Sequence, residues 1–205
     1  MMDFFKRIVF WRKHRSLEDI GLSAQKIRQI ACHEAGHVLV AHLCGDGEAI
    51  IYASIAPETS YGGYGIVRNT PDPHFMKIST RSELESAIAK KLGGRAAEEV
   101  VFGKEQISVG CSGDLAAATI IATKMVAFCG FSEKLGLISI DIKTAADIPE
   151  VRAEAARILD TQYARALNLI GENRHALDEL TSGLIERRFL TAEDIRKILA
   201  RAASL

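Results

Sequence analysis

Residues 33–37 read His-Glu-Ala-Gly-His, inside a stretch, Leu22–Leu43 (LSAQKIRQIACHEAGHVLVAHL), that repeats apolar residues at helical spacing through Ile27, Ile30, Val38 and Ala41. With Ser23 placed to cap its start, this stretch is predicted to form one long helix. Positions i and i+4 of a helix share a face, so the imidazoles of His33 and His37 can point at one spot, with Glu34 at the edge of that face. Two neutral nitrogen donors suit a zinc ion, one per chain, that takes a third protein ligand and keeps its fourth position for water. Zinc lowers the pKa of that water, and an adjacent carboxylate can take its proton and later deliver it to a leaving amine, the role open to Glu34. The bland alternative is a pair of ordinary histidines on an ordinary helix. Gly36 argues against it: a mid-helix glycine costs about 1 kcal/mol relative to alanine, so its presence predicts that another element approaches the backbone there.

The remaining pattern predicts a mainly α domain with a small β-sheet. At 205 residues the chain can bury one sizeable core, or two small ones at most. Residues 48–56 (EAIIYASIA) and 63–68 (GYGIVR) read as two strands around a turn-forming stretch at 57–62. Thr80 and Glu83 form a capping box that opens a helix through Leu84, Ile88, Leu92, Ala96 and Val100 to about Phe102. Gly93 and Gly94 interrupt it, which implies either close packing or a kink. Ser112 is placed to cap a third helix that Gly130 would end, and residues 137–142 (LISIDI) have strand character. From Pro149 onwards the pattern is helical, with breaks near Gly171 and Arg188 and a second capping box at Thr191 and Asp194. The expected division is an N-terminal segment at 1–22 and a domain at 23–205, whose part 149–205 is helical.

Charge and cysteine usage narrow the partners. Lys plus Arg and Asp plus Glu both number 26, which gives no reason to expect nucleic acid. Residues 1–16 are locally basic, with Lys6, Arg7, Arg12, Lys13 and Arg15 among Phe4, Phe5, Ile8, Val9 and Trp11. Such a segment suits contact with an anionic membrane surface, and its apolar run is far short of the ~20 residues a spanning helix needs. No small-residue cleavage site follows it. Cys32, Cys44, Cys111 and Cys129 lack the paired spacings of a disulfide framework or a cysteine-rich zinc site. The expected location is therefore cytoplasmic, peripheral at the membrane.

The residues alone leave the third ligand open. Glu98 is a downstream glutamate of the kind helical zinc peptidases use, whereas Asp114 reads equally well as an acid favoured by the dipole at a helix start. A set of motifs adds to this: ACHEAGHVLVAHL (31–43), GGYGIV (62–67), TRSELESAIAKKLGGRAAEEVVFG (80–103), SVGCSGDLAAAT (108–119), GFSEKLG (130–136), ENRHALDEL and LTAEDI. Together they resemble the peptidase domain of FtsH-type, membrane-associated zinc proteases over roughly residues 24–200. The resemblance implies that His33, His37 and Asp114 bind zinc and that Glu98 orients a ligating histidine. It also implies that the strand carrying Gly63, Tyr64, Gly65 and Ile66 holds an extended substrate through its main chain.

The chain departs from that family in lacking a GxxxxGK[ST] phosphate loop, hence an ATP site, and a spanning segment. Cys32 stands where an aromatic residue is common, and Ser-Gly-Asp replaces Ser-Asn-Asp, so Gly113 removes a side chain beside Asp114. The expected function is a zinc-dependent metalloendopeptidase that hydrolyses unfolded or flexible polypeptides without an ATPase of its own. The alternative is a non-catalytic peptide-binding or regulatory module with structural zinc. Expected partners are the unfolded protein or peptide substrate, further copies of the chain in a homo-oligomer, and a separate ATPase.

Overall fold

The computed structural model of the protein describes residues 17–19, 21–56, 65–69 and 78–203. The segment 1–16, expected to touch a membrane, lies outside them. Helix α1 (Ala24–Ala41) carries the HEAGH sequence and begins as predicted, with the Ser23 side chain accepting from the Lys26 amide. It loosens into a π-helical turn at His42–Asp46 and leads to strand β1 (Ile50–Ser54). Strand β2 (Ile66–Asn69) pairs antiparallel with β1, with Ala53 opposite Val67.

Helix α2 (Arg81–Phe102) opens on the Thr80/Glu83 capping box and runs unbroken through Gly93 and Gly94. Two short 3₁₀ turns, at Lys104–Gln106 and Val109–Cys111, then deliver the chain to α3 (Ser112–Ala127). After α4 (Ile142–Ala145) come α5 (Pro149–Glu172), α6 (Arg174–Arg187), strand β3 (Phe189–Thr191) and α7 (Ala192–Ala202). The sheet order is β2-β1-β3, all antiparallel, so that among the described residues β2 lies at an edge. The second capping box, Thr191 with Asp194, starts α7.

Three local expectations need correction. Cys111 occupies the N-cap position of α3 and no side chain caps that helix; the Ser108 hydroxyl instead accepts from Gly110 and caps the preceding 3₁₀ turn. Residues 137–141 form no strand: Leu137 and Ile138 are exposed, and among the described residues no strand pairs with them; the third described strand is Phe189–Thr191. Finally, Val109–Ala127 is by length and mean hydropathy (19 residues, 1.2) apolar enough to cross a membrane, although no such stretch was expected. In this fold one side of it packs through Ala118, Ala122, Met125 and Val126 against Leu84, Ile88 and Leu92 of α2 and Val151 and Ile158 of α5.

Helix α1 runs through the middle of the other apolar cluster. Its Ile27, Ala31, Val38 and Leu39 pack with Leu177, Leu180 and Leu184 of α6 and with Leu190 of β3. What brings α1 against α2 is a contact between glycines. A Cβ on Gly36 would press on the Gly93 carbonyl and stand 2.6 Å from Ala97 Cβ, while one on Gly93 would stand 2.8 Å from the Gly36 carbonyl. Both glycines therefore allow backbone-to-backbone contact at the crossing, which accounts for their presence inside helices that they would otherwise weaken.

Gly36→Ala is expected to lower stability by roughly 1–3 kcal/mol through overpacking at this crossing. Gly171→Ala, on an exposed helical site with open space around it, is expected to raise it by about 0.5–1 kcal/mol. Urea unfolding of both variants checks the pair; equal effects would refute the packing account.

Candidate metal centre

His33 and His37 lie one helical turn apart on α1, and Asp114 sits in the first turn of α3, where the helix dipole favours an acid. The α1–α2 crossing and the turns after α2 bring the three together. The two Nε2 atoms are 3.1 Å apart, and Asp114 Oδ2 is 3.1 Å from His37 Nε2 and 3.6 Å from His33 Nε2. Tetrahedral bonds of about 2.0–2.1 Å to zinc put neighbouring donor atoms about 3.3 Å apart, so this triangle has the size the ion requires.

Hydrogen bonds on the far side of each ring decide what faces inwards. Nδ1 of His37 is 2.8 Å from the Lys90 carbonyl, which can only accept, so that nitrogen carries the proton. Nδ1 of His33 is 2.7 Å from Glu98 Oε1. Glu98 is fully buried, which favours its neutral form, but hydrogen bonds from His33 and from the Ser108 amide and hydroxyl outweigh burial and hold its carboxyl below the usual range. It too accepts, so Nδ1 of His33 donates. In the neutral rings both Nε2 atoms are then bare, and two nitrogen lone pairs and a carboxylate oxygen converge with no proton among them. A cation resolves that repulsion.

The same demand appears as proton affinity. Burial disfavours a charged His33, yet the hydrogen bonds to Asp114 and Glu98 prevail and push it up to about 10. Burial likewise opposes ionisation of Asp114, but both histidines hold it well below the ordinary carboxylate range. Three donors within 4.8 Å of one another make up this group among the described residues.

Glu34 is buried at the edge of the group and lines a cleft of about 360 Å³ together with His37 and Asp114. Burial pushes its carboxyl upwards, with the two imidazoles pulling the other way. That is the direction wanted in a base that must take a proton near neutral pH. Gly65, just before β2, faces it: a Cβ there would stand 2.7 Å from Glu34 Cγ and Cδ. Ile66 lines the same cleft, whereas Gly63 and Tyr64 lie outside the described residues. Gly94 leaves room for His33, whose ring would be 2.6 Å from an added Cβ.

Sequence reasoning missed the supports of Glu98. Gln29 Nε2 donates to Glu98 Oε2 at 2.9 Å and to the Gln106 carbonyl at 2.6 Å, and the Ser108 amide and hydroxyl add bonds of 2.7 and 3.0 Å. One carboxylate thus ties His33 to the turns that precede Asp114. Gln29 stands four residues before His33 and eight before His37, on the same helical face, and that spacing was the available signal.

Two imidazoles and a carboxylate with an acid beside them match the donor set of zinc-dependent peptidases. The chain belongs to Peptidase family M41, whose model matches residues 21–198. It is 32% identical over 195 residues to the ATP-dependent zinc metalloprotease FtsH 3 of Synechocystis, covering 87% of this chain and 32% of that protein. It is 33% identical over 192 residues to the FtsH of Chloroflexus aggregans, covering 86% of this chain and 29% of the relative. With the chloroplastic/mitochondrial FTSH 11 of Arabidopsis thaliana the identity is 36% over 170 residues, covering 82% and 21%. The chain therefore spans at most about a third of the length of these relatives.

Replacing Glu98 by Gln is expected to weaken zinc binding about 10- to 100-fold, because it loosens His33 and the Asp114 turns together. Asp114→Ala should abolish stoichiometric binding. Chelator competition at fixed pH reads both; unchanged affinity in Asp114→Ala would exclude it as a ligand.

Proposed function

We propose that the domain is a zinc-dependent endopeptidase acting on unfolded or flexible polypeptide, with His33, His37 and Asp114 as the metal ligands. The observation that carries this is the convergence of two imidazole nitrogens and a carboxylate oxygen at the spacing zinc needs. Bound there, zinc would supply Lewis-acid activation of water and of the scissile carbonyl. Glu34, its carboxyl raised by burial, takes the proton of the attacking water and passes it to the leaving amine. Glu98 holds His33 in the tautomer that turns Nε2 inwards, and the Lys90 carbonyl does the same for His37. The outer edge of β2 takes the substrate as an added strand, Gly63, Tyr64, Gly65 and Ile66 being the substrate-binding residues that the family resemblance implies, and the absence of a side chain at Gly65 leaves room for Glu34 beside that strand.

A structural zinc site closes all four positions with protein ligands, whereas a group of three donors among the described residues, two of them at the wall of a cleft, favours the catalytic reading over the regulatory one. The relatives are named ATP-dependent, and by that likeness the domain works together with an ATPase, as a homo-oligomer. We further propose a cytoplasmic location with residues 1–16 on the membrane surface. Vesicles containing an anionic lipid should sediment the full chain and release one without residues 1–16; equal sedimentation would refute that contact.

Glu34→Gln should keep zinc and lose at least about 100-fold in cleavage of unfolded casein. Removing zinc with a chelator should abolish cleavage by the wild type, and zinc should restore it. Cleavage by purified Glu34→Gln near the wild-type rate would sink the mechanism.

A further inference from the structure

The cleft beside the metal centre carries two lysines that this mechanism leaves unused. Lys90 and Lys91 both line it, on the wall formed by α2. Lys90 forms an ion pair with Asp46. Lys91 reaches the metal centre itself: its Nζ is 3.2 Å from Asp114 Oδ1, the oxygen other than the one that contacts the imidazoles. It remains half exposed towards the cleft.

Resting on the peptidase reading above, we infer that Lys91 gives the site a preference for an acidic side chain on a substrate residue flanking the scissile bond. A divalent cation held by His33, His37 and Asp114 draws on the same carboxylate that balances Lys91. Once the site is loaded, Asp114 is shared between the cation and Lys91, so the compensation of Lys91 weakens on the side that faces the cleft. The surrounding surface is shaped for such a side chain. Ala41 and Ala87 are small and buried, so the wall has depth, and Ile121 and Val67 offer apolar surface for a methylene stem. A glutamate would lay its stem on that surface and set its carboxylate on the ammonium. A purely apolar side chain would cover the ammonium without giving it a partner, which costs free energy. Lys91 thus acts on specificity by direct contact with substrate.

The test uses peptides that differ only in having Glu, Gln or Leu at each position flanking the cleaved bond. Zinc-loaded wild type is assayed for kcat/KM, and zinc-loaded Glu34→Gln for peptide binding by fluorescence anisotropy. At low salt the Glu peptide is expected to exceed the Gln peptide about fivefold in both assays, the size of one partly screened ion pair. About 0.5 M salt should reduce that ratio towards one. Lys91→Met should abolish the preference and Lys91→Glu reverse it. Because each enzyme is judged by its own Glu-to-Gln ratio, any general loss from disturbing Asp114 cancels. A wild type that handles Gln or Leu as well as Glu would overturn the inference, as would a ratio unchanged in Lys91→Met. If no peptide is cleaved at all, the peptidase reading fails, and the binding ratio alone decides the acidic preference.

Discussion

Everything at this site follows from hydrogen-bond direction. The Lys90 carbonyl and the Glu98 carboxylate can only accept from the two Nδ1 atoms, so each imidazole in its neutral form presents a bare nitrogen to the other. Asp114 adds an oxygen to the same point. Such an assembly is electrostatically frustrated until a cation occupies its centre, so that folding and metal demand are coupled in one place. Removing either acceptor behind the rings would relax the frustration and with it the selectivity for a metal.

The fold is arranged to hold that frustration in position. Gly36 and Gly93 let α1 and α2 touch backbone to backbone, and Gly94 opens a slot for the His33 ring. Glu98 leaves α2 one turn later and is met by Gln29 from α1 and Ser108 from the following turns. The buried carboxylate is expensive to desolvate, but three neighbours satisfy it, so it serves as a rigid post rather than a liability. Since Ser108 lies six residues before Asp114, the same post limits how far the third donor can wander.

Charge around the centre is distributed unequally. Glu34 stands on the β2 side, next to Gly65, while Lys91 stands on Asp114 from the α2 side. A polypeptide lying along β2 would therefore meet a carboxyl group over its reacting bond and an ammonium group beside it. That asymmetry comes from three helices and a strand, and no single segment contains it.

Much of the local structure was legible in the chain. Helical spacing and Ser23 predicted α1, two capping boxes located the starts of α2 and α7, and the mid-helix glycines announced close packing, because each of these signals is a property of neighbouring residues. Residues 137–142 misled for the converse reason: apolar alternation states a preference, and a strand exists only where a partner offers its hydrogen bonds. The His33–His37 pair was written in the sequence through the helical repeat. Its third companion was not, since 77 residues separate His37 from Asp114 and only the path of α2 and its turns closes that gap. Likewise the chain contains Lys91 and Gln29 as ordinary polar residues of helices and Glu98 as a candidate for either ligand or support; packing decided which of them face the centre and which atoms they present to it.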